Sequence, residues 1–360
     1  MYKIYCDEDV IYSPPMVNEG YIAYNAKINK ELNMVDTAEF TIPQEGEGYD
    51  LISKLKSDIT ITDNDEVIFM GRCTDITTDF QNQRKFHCEG VMGFLADSIL
   101  RPYSFSTDTP GNIFTYYLQQ HNLIVGTSRR LLVGDTTTMQ SVQLVRESSQ
   151  YPTTLDELQE KLIEDFGGYV MPRYTEYGVY LDYKATSGGN NTQVIKFGEN
   201  LLNIEEFIDA SEVKTILIPL GATIEGTDER LTVKSVNNNK DYIENATGIG
   251  LFGRIEGVEE WDDITIASNL LTAGTAKLAQ LISEAVTLTI NAIDLSLLDV
   301  NVASIKLGEY NRVLSVPHGI DDYFQCTRIE LDLSNPSNHV YTFGNPRPTL
   351  TDNYIKFRTK

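Results

Sequence analysis

The sequence predicts a β-rich α+β protein of more than one domain. Short runs near both ends alternate apolar and polar residues, the period that puts successive strand side chains on opposite faces. Helical spacing is confined to the middle of the chain and one later stretch. The length, 360 residues, suggests two or three domains at about 150 residues each.

The first ~95 residues read mostly as strands. Ala38 to Ile42 is AEFTI and stops at Pro43. Asp58 to Thr62 (DITIT) alternates Ile59 and Ile61 with threonines. Asp63-Asn64-Asp65-Glu66 then supplies turn residues, and Val67 to Arg72 resumes a strand, which predicts a hairpin. Arg84 to Val91 places Phe86 and Cys88 on one face and Lys85, His87 and Glu89 on the other. Tyr49 to Lys56 is expected to form a short helix.

The middle mixes types. Gly111 to Asn122 carries Ile113, Phe114, Tyr117 and Leu118 at helical spacing, with Asn122 as its end. Thr154 is the expected N-cap of the strongest helix, with Glu157 completing a capping box. Leu155, Leu158, Leu162, Ile163 and Phe166 form its stripe, and Gly167-Gly168 stop it. Tyr169 to Met171 and Val179 to Tyr183 predict a hairpin around Tyr177-Gly178, and Ser187 to Asn191 a loop or domain boundary.

Strands dominate again beyond residue 192: Gln193 to Phe197, Thr215 to Ile218, Arg230 to Val236, Ala285 to Ile293, and stretches near 312–316, 325–331 and 339–343. Three asparagines at 237–239 break the pattern, and Ala267 to Ser283 reads as a helix despite Gly274. No exact repeat stands out, yet both β-rich parts share turn chemistry, which permits a duplicated barrel.

Composition weakens several functions. Lys plus Arg is 29 against 52 Asp plus Glu, a net charge of −23, which opposes nucleic-acid and anionic-membrane binding. The 20 Tyr and 14 Phe argue against disorder. No segment approaches the ~18 apolar residues of a spanning helix, and the N-terminus MYKIYCDEDV lacks a signal-peptide core. Cys6, Cys73, Cys88 and Cys326 form no CxxC and read as reduced, buried thiols.

Catalytic chemistry is hard to find. The histidines are His87, His121, His318 and His339, with no HExxH and no close pair for zinc. His87 and Cys88 are strand neighbours that face apart. GxSxG and GxxxxGK[ST] are absent. Asp63-Asn64-Asp65 lacks the glycine and distal glutamate of a calcium loop. Glu256, Glu259, Glu260, Asp262 and Asp263 surround Trp261, where a sugar could stack between carboxylates; a solvated acidic loop is the plainer reading. No catalytic, cofactor-binding or metal-binding residue is assigned.

Several strings together resemble a known family: TAEFTIP (Thr37 to Pro43), DNDEVIFMGRCTDI (Asp63 to Ile76), CEGVMGFLADSILRP (Cys88 to Pro102), VIKFGENLLNIE (Val194 to Glu205), LIPLGA (Leu217 to Ala222), GRIEG (Gly253 to Gly257), NAIDLS (Asn291 to Ser296), KLGEYNRVLS (Lys306 to Ser315) and IELDLSNPSNHVYTFG (Ile329 to Gly344). The chain is similar to the N-terminal hub portion of phage tail-associated lysins, the prophage endopeptidase tail family of siphophage minor structural proteins. The resemblance implies a baseplate-hub-like fold with two related β-barrel tube domains and α+β peripheral domains. It places a first tube domain at 1–97 and an α+β domain at 98–191. The second tube domain would join 192–236 to 284–348 around an inserted domain at 237–283, with a tail at 349–360.

The implied function is a structural hub of a phage or prophage tail tip or baseplate. A homotrimer of such subunits presents six barrels, adapts a hexameric tail tube to a threefold tip, and forms a DNA channel. Implied partners are the distal tail or tail tube protein, the tape-measure protein, receptor-binding or lysin components, and DNA passing without specific binding. The expected location is the virion tail tip, assembled in the bacterial host cytoplasm. An acidic lumen would let DNA pass without sticking. Many relatives continue into a peptidoglycan hydrolase; this chain ends at Lys360 without Cys/His or zinc motifs, so no enzyme is expected. The alternatives are a tail-associated peptidoglycan hydrolase and a receptor- or glycan-binding tip module.

Overall fold

The computed structural model describes residues 1–14, 19–139, 144–208, 213–262, 264–284, 286–297 and 301–344. The expected tail at 349–360 lies outside the described residues. The chain divides into two compact units. The first comprises Met1–Ser187, Asp263–Asn269 and Ile329–His339; the second comprises Gly188–Asp262, Leu270–Arg328 and the residues from Val340 on.

The main sheet of the first unit uses β1 (Tyr2–Cys6), β2 (Asp9–Tyr12), β3 (Tyr24–Glu31), β4 (Thr37–Ile42), β5 (Asp58–Asp63), β6 (Glu66–Thr78) and β7 (Arg84–Gly90). They lie in the order β3-β4-β7-β6-β5-β1-β2, with antiparallel pairings. The β5–β6 hairpin turns at Asn64 and Asp65, with φ +48° and +69°, a left-handed pair that Asn and Asp tolerate. Alternation buries one face: Ile4, Ile28, Phe40, Ile59, Ile61 and Phe86 are almost wholly enclosed, and Phe86 stacks on Phe40 at 5.4 Å. Tyr49–Lys56 forms turns rather than the expected helix. Leu55 sits at φ +61°, a left-handed conformation that no right-handed helix accommodates.

The rest of this unit contains β8 (Tyr103–Asp108), β9 (Leu132–Val133), β10 (Leu144–Ser148), β11 (Tyr169–Thr175) and β12 (Gly178–Lys184). β8 pairs with β10, and a second sheet has the order β11-β12-β9. The helix α1 (Pro110–Ile124) is capped by Thr109, whose hydroxyl accepts the Asn112 N–H, and it continues past the expected end at Asn122. The helix α2 (Thr154–Leu158) begins one residue earlier than expected: its cap is Thr153, which accepts the Asp156 N–H. Glu157 accepts a hydrogen bond from the Tyr103 hydroxyl instead of closing a capping box. The chain then widens into a π turn over Gln159–Glu164, and Gly167 and Gly168 end it at φ +73° and +90°.

The second unit holds β13 (Ile195–Lys196), β14 (Leu201–Ile208), β15 (Ile216–Leu220), β16 (Ile243–Glu244), β17 (Glu256–Glu260), β18 (Val286–Ala292), β19 (Tyr310–Ser315), β20 (Ile320–Asp332, to Arg328 in this unit) and β21 (Val340–Gly344). The expected strand Gln193–Phe197 shrinks to β13. Arg230–Val236 is not a strand: Arg230 makes one bridge to Thr223 and Lys234–Val236 is a single 3-10 turn. A small sheet of order β16-β15-β17 accompanies α3 (Ala246–Phe252) and α4 (Ala267–Glu284, from Leu270 in this unit). Gly274 of α4 is a close approach: a Cβ there would lie 2.8 Å from Ile243 and 3.1 Å from Pro219.

The principal strands of the second unit run β14-β18-β21-β20, with β20 also pairing β19 and β19 pairing β13. The first unit reads β3-β4-β7-β6-β5-β1. Both are the same six-strand order in the same chain sequence. One pairing differs: β13 runs parallel to β19, whereas β1 runs antiparallel to β5. Where β3 and β4 are joined by a short turn, β14 and β18 are separated by β15–β17, α3 and α4. No closed barrel forms among the described residues, so the two barrels implied by resemblance are not seen as such.

Candidate assembly surface

The shared strand order extends to side chains. Cys73 to Phe80 reads CTDITTDF, and Cys326 to Leu333 reads CTRIELDL. This imperfect repeat lies at matching places in β6 and β20. The Cys73 thiol donates to the Asp75 carbonyl at 3.4 Å and the Cys326 thiol to the Arg328 carbonyl at 3.8 Å. The Cys73 carbonyl accepts the Leu55 N–H at 2.8 Å, and the Cys326 carbonyl the Gly308 N–H at 2.7 Å. Thr74 donates to the His87 carbonyl at 3.2 Å, and Thr327 to the Gly344 carbonyl, with the Thr342 carbonyl farther off at 3.4 Å. Asp79 Oδ1 accepts the Gln81 and Gln83 N–H groups, both at 2.8 Å. Asp332 Oδ1 accepts those of Ser334 and Asn335, both at 2.9 Å. Burial pushes the Cys326 thiol well above its ordinary pKa, so it stays neutral in the core.

The two repeats end differently. Residues 329–339 belong to the first unit and run beside β3. The Leu333 N–H donates to the Ala26 carbonyl at 2.8 Å, Lys27 Nζ donates to Glu330 at 2.6 Å, and Leu333 is buried in the core of that sheet. The equivalent Phe80 is fully exposed. Its loop is nonetheless held in shape by the Asp79 carboxylate and by mutual backbone bonds, Asp79 N–H to Gln83 O and Asn82 N–H to Asp79 O. β5 accompanies β6 only as far as Arg72. Beyond the Cys73–Leu55 bond, Asp75–Thr78 pair with β7 alone among the described strands. Among the described strands β14 pairs with β18 and stands last in the strand order, and its Leu201 also bridges Phe197.

The sequence-derived chemical candidates find structural roles. His87 Nδ1 sits 3.1 Å from Glu39 Oε1 on the face opposite buried Cys88. His121 Nε2 donates to the Arg129 carbonyl at 3.1 Å, leaving Nδ1 to accept from Ser98 Oγ at 2.8 Å. No local motif marks this Ser–His pair, whose residues are 23 positions apart. Both are fully buried, out of reach of a substrate, and burial lowers the His121 pKa, keeping it neutral. His318 Nδ1 bonds Ser315 Oγ at 2.6 Å, and His339 lies by Tyr2. No three His, Cys, Asp or Glu side chains are placed to hold a metal among the described residues.

The acids are solvated, as in the plainer sequence reading, but most lie on a strand rather than in a loop. Glu256, Glu259 and Glu260 belong to β17, which pairs parallel with β15. Trp261 is buried and donates its backbone N–H to the Leu220 carbonyl, so its ring offers no open face for a sugar. Arg230 reaches Glu260 at 3.2 Å and Asp262 at 2.6 Å. Asp263 lies outside the described residues.

The β-rich α+β fold is similar to that of phage tail and baseplate proteins. The prophage endopeptidase tail family model matches residues 189–354, which bears out the family resemblance read from the sequence. The fold is similar to the prophage tail protein gp18 from Listeria monocytogenes EGD-e (TM-score 0.63, 14% identity, covering 93% of this chain and 92% of that one). It is similar to the tail protein from Neisseria meningitidis MC58 (TM-score 0.64, 12% identity, 96% of each chain). A type VI secretion component of E. coli, described as similar to the T4 tail proteins gp27 and gp5, gives TM-score 0.50 at 10% identity, covering 97% of this chain and 80% of that one. No curated protein matches this sequence.

Proposed function

We propose that this chain is a structural subunit of a phage or prophage tail, placed at the tip or baseplate hub. The observation that carries the reading is the six-strand order used twice in one chain, supported by the likeness to tail proteins. Two equivalent sheets per subunit let a homotrimer present six equivalent elements, matching a hexameric tube on one side and a threefold tip on the other. The tube domains are residues 1–97 and 192–236 with 284–348; residues 98–191 and 237–283 decorate them. The partners are the distal tail or tail tube protein, the tape-measure protein and receptor-binding or lysin components. The ring encloses a channel for DNA, whose passage the net charge of −23 per subunit favours by repulsion. Its place is the virion tail, assembled in the host cytoplasm, and its role is not enzymatic.

Light scattering over a concentration range, followed by negative-stain imaging of the chain alone and with its tube protein, tests this. A ring of three 40.5 kDa subunits is expected. A chain that stays monomeric in both settings, or that degrades cell walls, overturns it.

A further inference from the structure

Two thiols of the first sheet face one another, a pairing that the proposed role does not require. Cys73 of β6 stands directly opposite Cys88 of β7, so both side chains leave the same face of the sheet. Both are fully buried in one core. We propose that Cys73 and Cys88 are a redox pair, which a hydroperoxide closes into an intrachain disulfide in the folded protein and a dithiol reopens.

The backbone bonds fix the kind of pair. The Cys73 carbonyl accepts the Leu55 N–H at 2.8 Å, so the backbone groups of Cys73 point away from β7. The His87 carbonyl accepts from Thr74 of β6, so His87 points its groups toward β6 and Cys88, next along the strand, points its own away. The two cysteines therefore form a non-hydrogen-bonded cross-strand pair, the kind in which side chains come closest. Their Cα atoms stand about 4.5 Å apart in such a pair, inside the roughly 4.4–6.8 Å that a disulfide spans. A bridge at the short end of that range reopens readily. Cys6 is a poorer partner: it stands opposite Ile59, and Ile59 opposite Gly71, which puts it two strands, about 10 Å, from β6. Cys326 belongs to the second unit.

The pair also sits where the sheet is weakly tied. β5 accompanies β6 only as far as Arg72, and the ladder with β7 skips Thr74, a bulge that interrupts the pairing. Local opening is easiest at such a place. A hydroperoxide is barely larger than water, so it enters through an opening too small for an alkylating reagent.

The thiol–thiol hydrogen bond draws Cys73 below its ordinary pKa and, with burial, pushes Cys88 up, which makes Cys73 the attacking sulfur. Its thiolate takes one oxygen of hydrogen peroxide. The O–O bond breaks, and hydroxide leaves with the Cys73 proton as water. The Cys88 sulfur then attacks the sulfenic sulfur of Cys73. The S–S bond forms as the S–O bond breaks, and the oxygen leaves as a second water with the protons of the sulfenic acid and of Cys88. Two thiols and one peroxide thus give one disulfide and two waters, the sulfurs supplying both electrons. The bridge ties β6 to β7 just where β6 has lost β5.

The test exposes reduced, folded protein to dilute hydrogen peroxide for hours. Catalase stops the reaction, and the protein is denatured in N-ethylmaleimide. Of the four thiols, two should be lost, with an intact mass lower by two hydrogens before alkylation. Tryptic cleavage after Arg72, Arg84 and Lys85 puts the two cysteines on separate peptides, which should appear joined. Dithiothreitol should restore four thiols. Cys6→Ala should keep the bridge, and Cys73→Ala and Cys88→Ala should each abolish it. Four free thiols after treatment, a bridge between another pair, stepwise oxidation of Cys73 to sulfinic acid with Cys88 still free, or a bridge that forms only in denaturant overturns the proposal. The wild-type measurement decides even where a variant fails to fold.

Discussion

Cys73 and Cys326 occupy the same place in two sheets, each giving its thiol to the carbonyl two residues on and accepting an N–H from the preceding loop. Both are wholly enclosed. A small apolar side chain with a weak donor suits that position, because the strand is about to leave one neighbour and its backbone needs a local partner.

Thiol chemistry should therefore report global unfolding. Burial pushes the Cys6 and Cys326 thiols up, and a hydrogen bond with Cys73, together with burial, pushes Cys88 up, while the same bond draws Cys73 down; all four are enclosed, which closes them to reagents. Folded protein at pH 8 should incorporate no iodoacetamide within minutes, whereas protein in denaturant should incorporate four equivalents. Fast native labelling at Cys326, read by peptide mass spectrometry, would contradict the matched-core description.

Arg72 should be costly to replace. It is buried, donates from Nε to Glu89 at 2.7 Å and from Nη2 to Asp97 at 2.8 Å, with a second, closer bond from Nη1 to Asp97, and lies over the Phe94 ring at 5.3 Å. Removing it strands two acids. Because both keep some exposure, the loss should be below that of a fully buried pair, about 2–3 kcal/mol for Arg72→Met in urea unfolding. Arg72→Lys should recover less than half, since an ammonium cannot make the forked contact.

How much of this was legible in sequence depends on how local the cause was. The β5–β6 hairpin could be read because period-two burial and a left-handed Asn64-Asp65 turn are both encoded within fifteen residues. Tyr49–Lys56 misled because its apolar spacing is helical while Leu55 is held left-handed, with its N–H bonded to the distant Cys73 carbonyl. Arg230–Val236 misled because Arg230 is drawn away to the Gly221 carbonyl, Glu260 and Asp262. The assembly surface escaped notice because its repeat keeps only Cys, Thr, Ile and Asp out of eight positions. Aligning the two segments that follow a buried cysteine would have exposed it.

Trp261, the single tryptophan, offers a direct optical check. Its burial predicts blue-shifted emission and weak quenching by acrylamide in the folded state. Cell-wall glycans and oligosaccharides should leave that emission unchanged. A saturable shift on adding a glycan would reopen the sugar-stacking reading of the surrounding acids.

Asp36 should make the protein more stable in mild acid than at neutral pH, other groups being equal. Its carboxyl is pushed up to about 6 by burial, with Lys30 offsetting part of the effect. The folded state therefore holds this proton more tightly than the unfolded chain, whose Asp titrates near the ordinary value of 3.8. The stabilisation from protonated Asp36 is complete below the unfolded value and is lost as pH rises through about 6. The shift corresponds to about 3 kcal/mol at most. Asp36→Asn removes the ionisation while keeping the shape. The variant should gain up to that amount over wild type at pH 7.5 and little at pH 4, and its stability between those pH values should vary less steeply. Urea titrations of both proteins across that range measure the difference. Parallel curves would mean that Asp36 ionises in the folded protein as freely as in water.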